Sequence, residues 1–361
     1  MKESDKIIVG ISIGDVNGIG IEVILKTFED IRVLEFCTPV IFGSTKVISY
    51  YKKNLNSNVA INGIDNLNSI IPNKFNVLNV WKENVDIDTG KATELSGKYA
   101  FKSLESATNA LKSGNIDVLV TAPINKENIQ SDDFNFNGHT EYLESKLEGK
   151  SLMILMADSL RVGLITGHVP LKDVASLITP ERIMGKVMIM NKTLQRDFNI
   201  RKPKIAILGL NPHSGDNGLI GKEDEEIVKP TIDKCRQKSM LVFGPYAADG
   251  FFGSDEYLKY DGILAMYHDQ GLIPFKILAF KGGVNFTAGL PIVRTSPAHG
   301  TAYEIAGKEL ASPDSLRQAI FLAIDIFRTR KMLEEMNANP LLSGGASERN
   351  GKNYSDPDSL Q

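Results

Sequence analysis

Residues 260–308 read YDGILAMYHDQGLIPFKILAFKGGVNFTAGLPIVRTSPAHGTAYEIAGK. Within them Gly262-Ile263-Leu264-Ala265-Met266 has the length and composition of a strand buried on both faces, as in a parallel α/β sheet. Tyr267, His268, Asp269, Gln270 and Gly271 follow at once, so the strand delivers an imidazole beside a carboxylate. Lys276, Asn285 and Arg294 then come separated by apolar segments and by Gly282, Gly283 and Gly289, the pattern expected when loops bring polar groups together around a pocket.

The rest of the chain repeats the strand-and-helix theme. Residues 7–13 predict a buried first strand, and the glycines at 14, 18 and 20 a turn into a helix beginning near Ile21. That turn is either structural or a set of backbone N–H groups for an anion; it fits neither the dinucleotide fingerprint nor a P-loop. Residues 38–43 predict a second strand, a helix follows through Tyr50 and Tyr51, and residues 54–79 predict short edge strands and loops. Ala100, Leu104, Ala107 and Leu111 recur at helical spacing, and residues 117–122 form the next strand, stopped by Pro123. Strand, helix, strand implies a largely parallel sheet and an α/β fold. In Gly138-His139-Thr140-Glu141, Thr140 is a candidate cap for a helix from Glu141 onward, its neighbouring N–H groups either simply capped or facing an anion. Residues 152–157 and 160–166 are paired apolar runs, 180–198 a helix, 205–210 a strand, 222–238 an acidic helix and 315–336 the last long helix. The polar, Gly/Ser-rich residues 339–361 are expected to be disordered and outside the chemistry.

At 361 residues the chain is long enough for two domains. Hydrophobic residues at 42% and charged ones at 24% describe a soluble globular protein, and a formal charge of -3 gives no support for a nucleic-acid surface. Cys37 and Cys235 suggest buried small hydrophobes rather than a disulfide or a thiolate zinc site. No stretch approaches the ~20 apolar residues of a membrane span, and the N-terminus lacks a secretory core, so a cytoplasmic location is the expectation.

Of five histidines, His168, His213 and His268 share one context: each follows a buried strand. In open α/β sheets ligands bind beyond the carboxyl ends of strands, where three imidazoles can converge. A single histidine there is ordinarily a structural hydrogen-bonder; three in one context are candidate ligands that leave positions open on a divalent ion, the catalytic pattern. Lys276 and Arg294 are candidates for gripping phosphate or carboxylate, and Asp249 and Asp269 for supporting the imidazoles or handling protons. Lys276 near a cation is also a candidate acid or base.

The ordered motifs Gly138-His139-Thr140-Glu141, Leu160-Arg161-Val162 through His168 to Val174, Gly209-Leu210-Asn211-Pro212-His213-Ser214-Gly215, Leu264 to Gly271, Gly283-Val284-Asn285, and Gly289-Leu290-Pro291 to Ala302 closely resemble the 4-hydroxythreonine-4-phosphate dehydrogenase family of pyridoxal phosphate (vitamin B6) biosynthesis. The resemblance runs from about residue 7 to 336. It implies two α/β/α domains with a cleft between them, similar to isocitrate and isopropylmalate dehydrogenases and not a Rossmann fold. By the family pattern the first domain would hold residues 1–130 plus about 300–338 and the second 131–299. It further implies a homodimer with the site at its interface, NAD or NADP as cofactor, and one divalent metal (Zn, Mg, Co or Mn) held by His168, His213 and His268, with His268 coming from across the interface. His139, Thr140, Lys276, Asn285 and Arg294 would bind a phosphorylated substrate, and Lys276, Asp249 and Asp269 would handle protons. In this chain Val16 and Ile21 stand where the family's first turn carries prolines, which removes two fixed φ angles.

The reaction implied is oxidation and decarboxylation of 4-phosphooxy-L-threonine to 3-amino-2-oxopropyl phosphate and CO2. Related enzymes acting on D-erythronate or D-threonate 4-phosphate are the nearest alternative. A metal-dependent phosphate-ester hydrolase or a phosphometabolite-binding protein is the alternative from another class.

Overall fold

The computed structural model describes residues 6–279 and 282–338; the expected tail from 339 lies outside the described residues. Twelve strands build one sheet: β1 Ile7–Ser12, β2 Cys37–Gly43, β3 Ile61–Ile64, β4 Phe75–Asn79, β5 Val118–Thr121, β6 Leu152–Ala157, β7 Leu160–Leu164, β8 Lys204–Leu208, β9 Leu241–Tyr246, β10 Gly262–Ala265, β11 Val284–Ala288 and β12 Arg294–Pro297, in the order β3-β4-β2-β1-β5-β12-β11-β6-β7-β10-β8-β9. The α/β reading holds, and the largely apolar β2, β5 and β10 are buried along their length, as strands covered on both faces must be.

Two parallel blocks stand at either side, β3 to β12 and β7 to β9. Between them three antiparallel pairings, β12–β11, β11–β6 and β6–β7, reverse direction, so the two blocks run opposite ways. The sheet is therefore mixed, because residues 152–164 form a hairpin rather than another crossover unit. One hydrophobic cluster crosses both blocks, from Ile11 and Val118 through Phe286 to Leu264. The Asp314–Ala338 helix packs on β12 and β5, and Thr295 Oγ1 donates to Ala319 O at 2.7 Å.

The glycine-rich turn has a structural role. Gly14 has φ +68°, and a Cβ there would stand 2.2 Å from Pro123 O, so only glycine fits. Asp15 is fully buried, and its carboxylate accepts from Asn17 N (2.8 Å), Ser96 Oγ (2.9 Å), Asn128 Nδ2 (2.8 Å) and Tyr303 OH (2.8 Å). It ties the first turn to the segments after β5 and β12 that wall the cavity described next.

Candidate active site

The floor of the cavity is a face of the central strands. Asn285 pairs with Leu155 on one side and Ser296 on the other, and Thr287 pairs with Met153. Side chains alternate along strands, so Met153, Leu155, Asn285, Thr287, Arg294 and Ser296 share that face. Lys276, Asn285 and Arg294 were expected on loops; instead they stand on the His268–Leu278 helix, β11 and β12, because the short apolar segments between them are themselves elements. The space enclosed is about 260 Å3, the scale of a small metabolite.

Arg294 is 1% exposed, donating from Nε to Thr121 Oγ1 at 3.1 Å and from Nη1 to Thr287 Oγ1 at 3.0 Å. Among the described residues no carboxylate forms an ion pair with it. Burial pushes its pKa down to about 9, with Glu141 pulling the other way, so the guanidinium is charged at neutral pH and held only by hydroxyls. A buried cation without a counter-ion is a standing cost that an anionic ligand removes.

The adjoining wall is the His139–Lys146 helix. Thr140 was expected as its cap; the N-cap is Gly138, and no side chain caps the helix. Thr140 lies in the first turn with Oγ1 3.5 Å from Thr287 Oγ1. The uncapped N–H groups and the helix dipole add to the attraction for anions. Two more groups wait for partners: His139 Nε2 and Asn285 Oδ1 are buried with no hydrogen bond. Burial, then the nearby Arg294 and Lys126, hold the His139 pKa well below the usual imidazole range, so the ring is neutral.

The three candidate metal histidines follow β7, β8 and β10, and β10 lies between the other two in the sheet. The rings of His168 and His268 have centroids 5.5 Å apart, and both line the cavity. His213 is exposed, opens a run with positive φ through Asn217, and does not line the cavity. Among the described residues of one chain no group of three or more His, Cys, Asp or Glu side chains stands ready to hold a metal. The donor chemistry nonetheless fits a cation: Nε2 of His168 faces the Lys126 ammonium at 3.0 Å, and Nδ1 of His268 lies 2.7 Å from Asp269 Oδ1. Lys276 lines the cavity; Asp249 and Asp269 are exposed and do not line it.

Sequence reasoning missed Lys126, Glu141 and His299 as lining residues. His299 donates from Nδ1 to Gly300 O at 3.0 Å, leaving Nε2 buried without a partner, and burial lowers its pKa. Glu141 and His299 stood inside quoted motifs, and Lys126 followed the end of β5 by five positions; nothing in their spacing links them.

Fold and cavity together define an α/β protein whose cavity gathers a buried guanidinium, an uncapped helix N-terminus and paired imidazoles. The chain belongs to the family of the pyridoxal phosphate biosynthetic protein PdxA, whose model matches residues 35–323. It is 52% identical over 341 residues to a 4-hydroxythreonine-4-phosphate dehydrogenase of Bacteroides thetaiotaomicron, covering 94% of each chain. A Clostridium botulinum relative with the provisional name D-threonate 4-phosphate dehydrogenase is 36% identical over 327 residues, 89% of this chain and 97% of the relative. The crystal structure of a 4-hydroxythreonine-4-phosphate dehydrogenase from Klebsiella pneumoniae superposes with a TM-score of 0.77 at 31% identity, covering 90% of this chain and 98% of that one.

Proposed function

We propose that the protein is an NAD-linked, metal-dependent dehydrogenase that oxidises the C3 hydroxyl of 4-phosphooxy-L-threonine. The β-keto acid then loses its carboxylate as CO2 to leave 3-amino-2-oxopropyl phosphate, in pyridoxine 5'-phosphate biosynthesis. The observation that carries the reading is Arg294, a buried cation without a carboxylate, in the same cavity as the His168–His268 pair. NAD supplies the hydride acceptor. A divalent ion, Zn, Mg, Co or Mn, would be held by His168, His213 and His268 and would supply a Lewis acid there.

Arg294, His139 and Thr140 bind the phosphate end, with Arg294 pre-set by Thr121 and Thr287, and Asn285 contacts the same substrate beyond it. Lys276 takes the hydroxyl proton and returns one to carbon after CO2 leaves, with Asp269 or Asp249 as acidic partner; of the three only Lys276 lines the cavity of its own chain. The helix that carries His268 and Lys276 exposes Ile273 (58%), Ile277 (75%) and Leu278, which suits burial against a second copy in a homodimer. The division at about residues 130 and 300 belongs to the same reading, with the cleft between the two units. None of the described helices is long and apolar enough to cross a membrane, and a cytoplasmic enzyme is the simplest setting.

The test is NADH formation from 4-phosphooxy-L-threonine, beside D-erythronate and D-threonate 4-phosphates, with metal chelated and then restored. Metal-dependent turnover favouring the amino acid supports the reading. Preference for a sugar acid would reassign the substrate, and no NADH from any of the three would defeat it.

A further inference from the structure

Glu141 is the one carboxylate among the described residues lining the cavity, where Lys126, Lys276 and Arg294 supply three cations. It stands in the first turn of the His139–Lys146 helix, with Oε1 3.6 Å from His168 Nδ1. That separation is longer than a full hydrogen bond, so although His168 is the main cause of the lowered Glu141 pKa, the carboxylate keeps capacity for a further donor. Its side chain is 41% exposed, and the residue lines the cavity.

The three cations suit the phosphate and the carboxylate of the proposed substrate. They repel its third charged group, the α-ammonium. The sugar acids carry a hydroxyl at that carbon, which donates a neutral hydrogen bond and needs no counter-charge. Asn285 Oδ1, buried and without a partner, is a neutral acceptor that serves either molecule. Only a carboxylate separates an ammonium from a hydroxyl by charge.

Resting on the substrate reading above, we propose that Glu141 is a specificity-determining residue that accepts hydrogen bonds from the α-ammonium and thereby favours the amino acid over the corresponding hydroxy acid. Charge-assisted hydrogen bonds are about twice as strong as neutral ones, so the expected preference due to this contact is about tenfold or more. The competing role is support of the His168 ring, for which the 3.6 Å approach of Nδ1 is the motive.

The metal-loaded wild type, Glu141→Gln and Glu141→Asp would be compared in kcat/KM for 4-phosphooxy-L-threonine against D-erythronate and D-threonate 4-phosphates. Calorimetric Kd values for the same three molecules without NAD, and metal content per chain, complete the set. The expected result is that Gln lowers the amino-to-hydroxy ratio about tenfold or more, chiefly in KM and Kd, with wild-type metal content and partial recovery in Asp. An equal loss for all three molecules, or loss of metal, would overturn the proposal in favour of ring support. Absence of turnover by the wild type would defeat the dehydrogenase reading alone; the Kd ratios would still decide the role of Glu141.

Discussion

Lys126 holds its ammonium 3.0 Å from Nε2 of His168. An ammonium has only donors, so the imidazole presents its lone pair to the cavity from Nε2, the atom that would meet a metal. Lys126 thus competes for that lone pair. Removing a hydrogen bond of about 1 kcal/mol should tighten divalent-ion binding about fivefold. Titration calorimetry of Lys126→Met with Zn or Co checks this; unchanged or weaker binding would show that the contact does not oppose the ion.

Arg294 sets stability against function. In the ligand-free protein it is a buried charge held by hydroxyls alone, so Arg294→Met should unfold at a higher temperature than wild type, by the equivalent of about 1–3 kcal/mol. Inorganic phosphate should raise the wild-type melting temperature by mass action and leave that of Arg294→Met unmoved. Arg294→Lys loses the planar grip shared with Thr121 and Thr287 and should lower kcat/KM about a hundredfold or more. A ligand-free Met variant less stable than wild type would show that the guanidinium contributes to the fold more than its desolvation costs.

These two residues show how far the sequence could be read. The apolar runs at β1, β2, β5 and β10 announce themselves because buried parallel strands need no polar face, and three histidines after strands point to one region. The cavity floor was hidden, since the register of Asn285 with Leu155 joins segments about 130 residues apart in the chain. Thr140 looked like a cap because threonine usually is one; Gly138 takes the position, and Thr140 turns to Thr287. The role of Asp15 rests on Ser96, Asn128 and Tyr303, none of which lies near it in sequence. Lone charged residues such as Lys126 and Glu141 resemble any solvated surface until a fold encloses them.

His139 should make the ligand-free protein sensitive to acid. Burial, Arg294 and Lys126 depress its folded-state pKa below the ordinary 6.5, so between those two values the unfolded chain binds more protons than the folded one. Stability is therefore fully present above pH 6.5 and falls as pH drops below it, by up to about 1.4 kcal/mol per unit. Denaturant unfolding of His139→Gln at successive pH values should show a shallower acid slope than wild type, with His299, depressed by its own burial, retaining part of it. An identical slope would mean that His139 is protonated at no loss.

Within a single chain His213 does not line the cavity that His168 and His268 share, and no three-ligand group forms among the described residues. If the metal site is completed between two copies, with His168 and His213 from one and His268 from the other, inactive variants should complement. A His213→Ala homodimer and a His268→Ala homodimer each lack a ligand at both sites. In a mixed dimer, one site takes intact His168 and His213 from the His268→Ala chain and intact His268 from its partner, while the second site lacks both. Random exchange makes about half the dimers mixed and repairs one of their two sites, so the mixture should recover about a quarter of wild-type activity. Metal content should rise with it, from the level of the separate variants. Ligands supplied wholly within one chain would give no recovery at any mixing ratio, since every chain in the mixture would still lack one histidine.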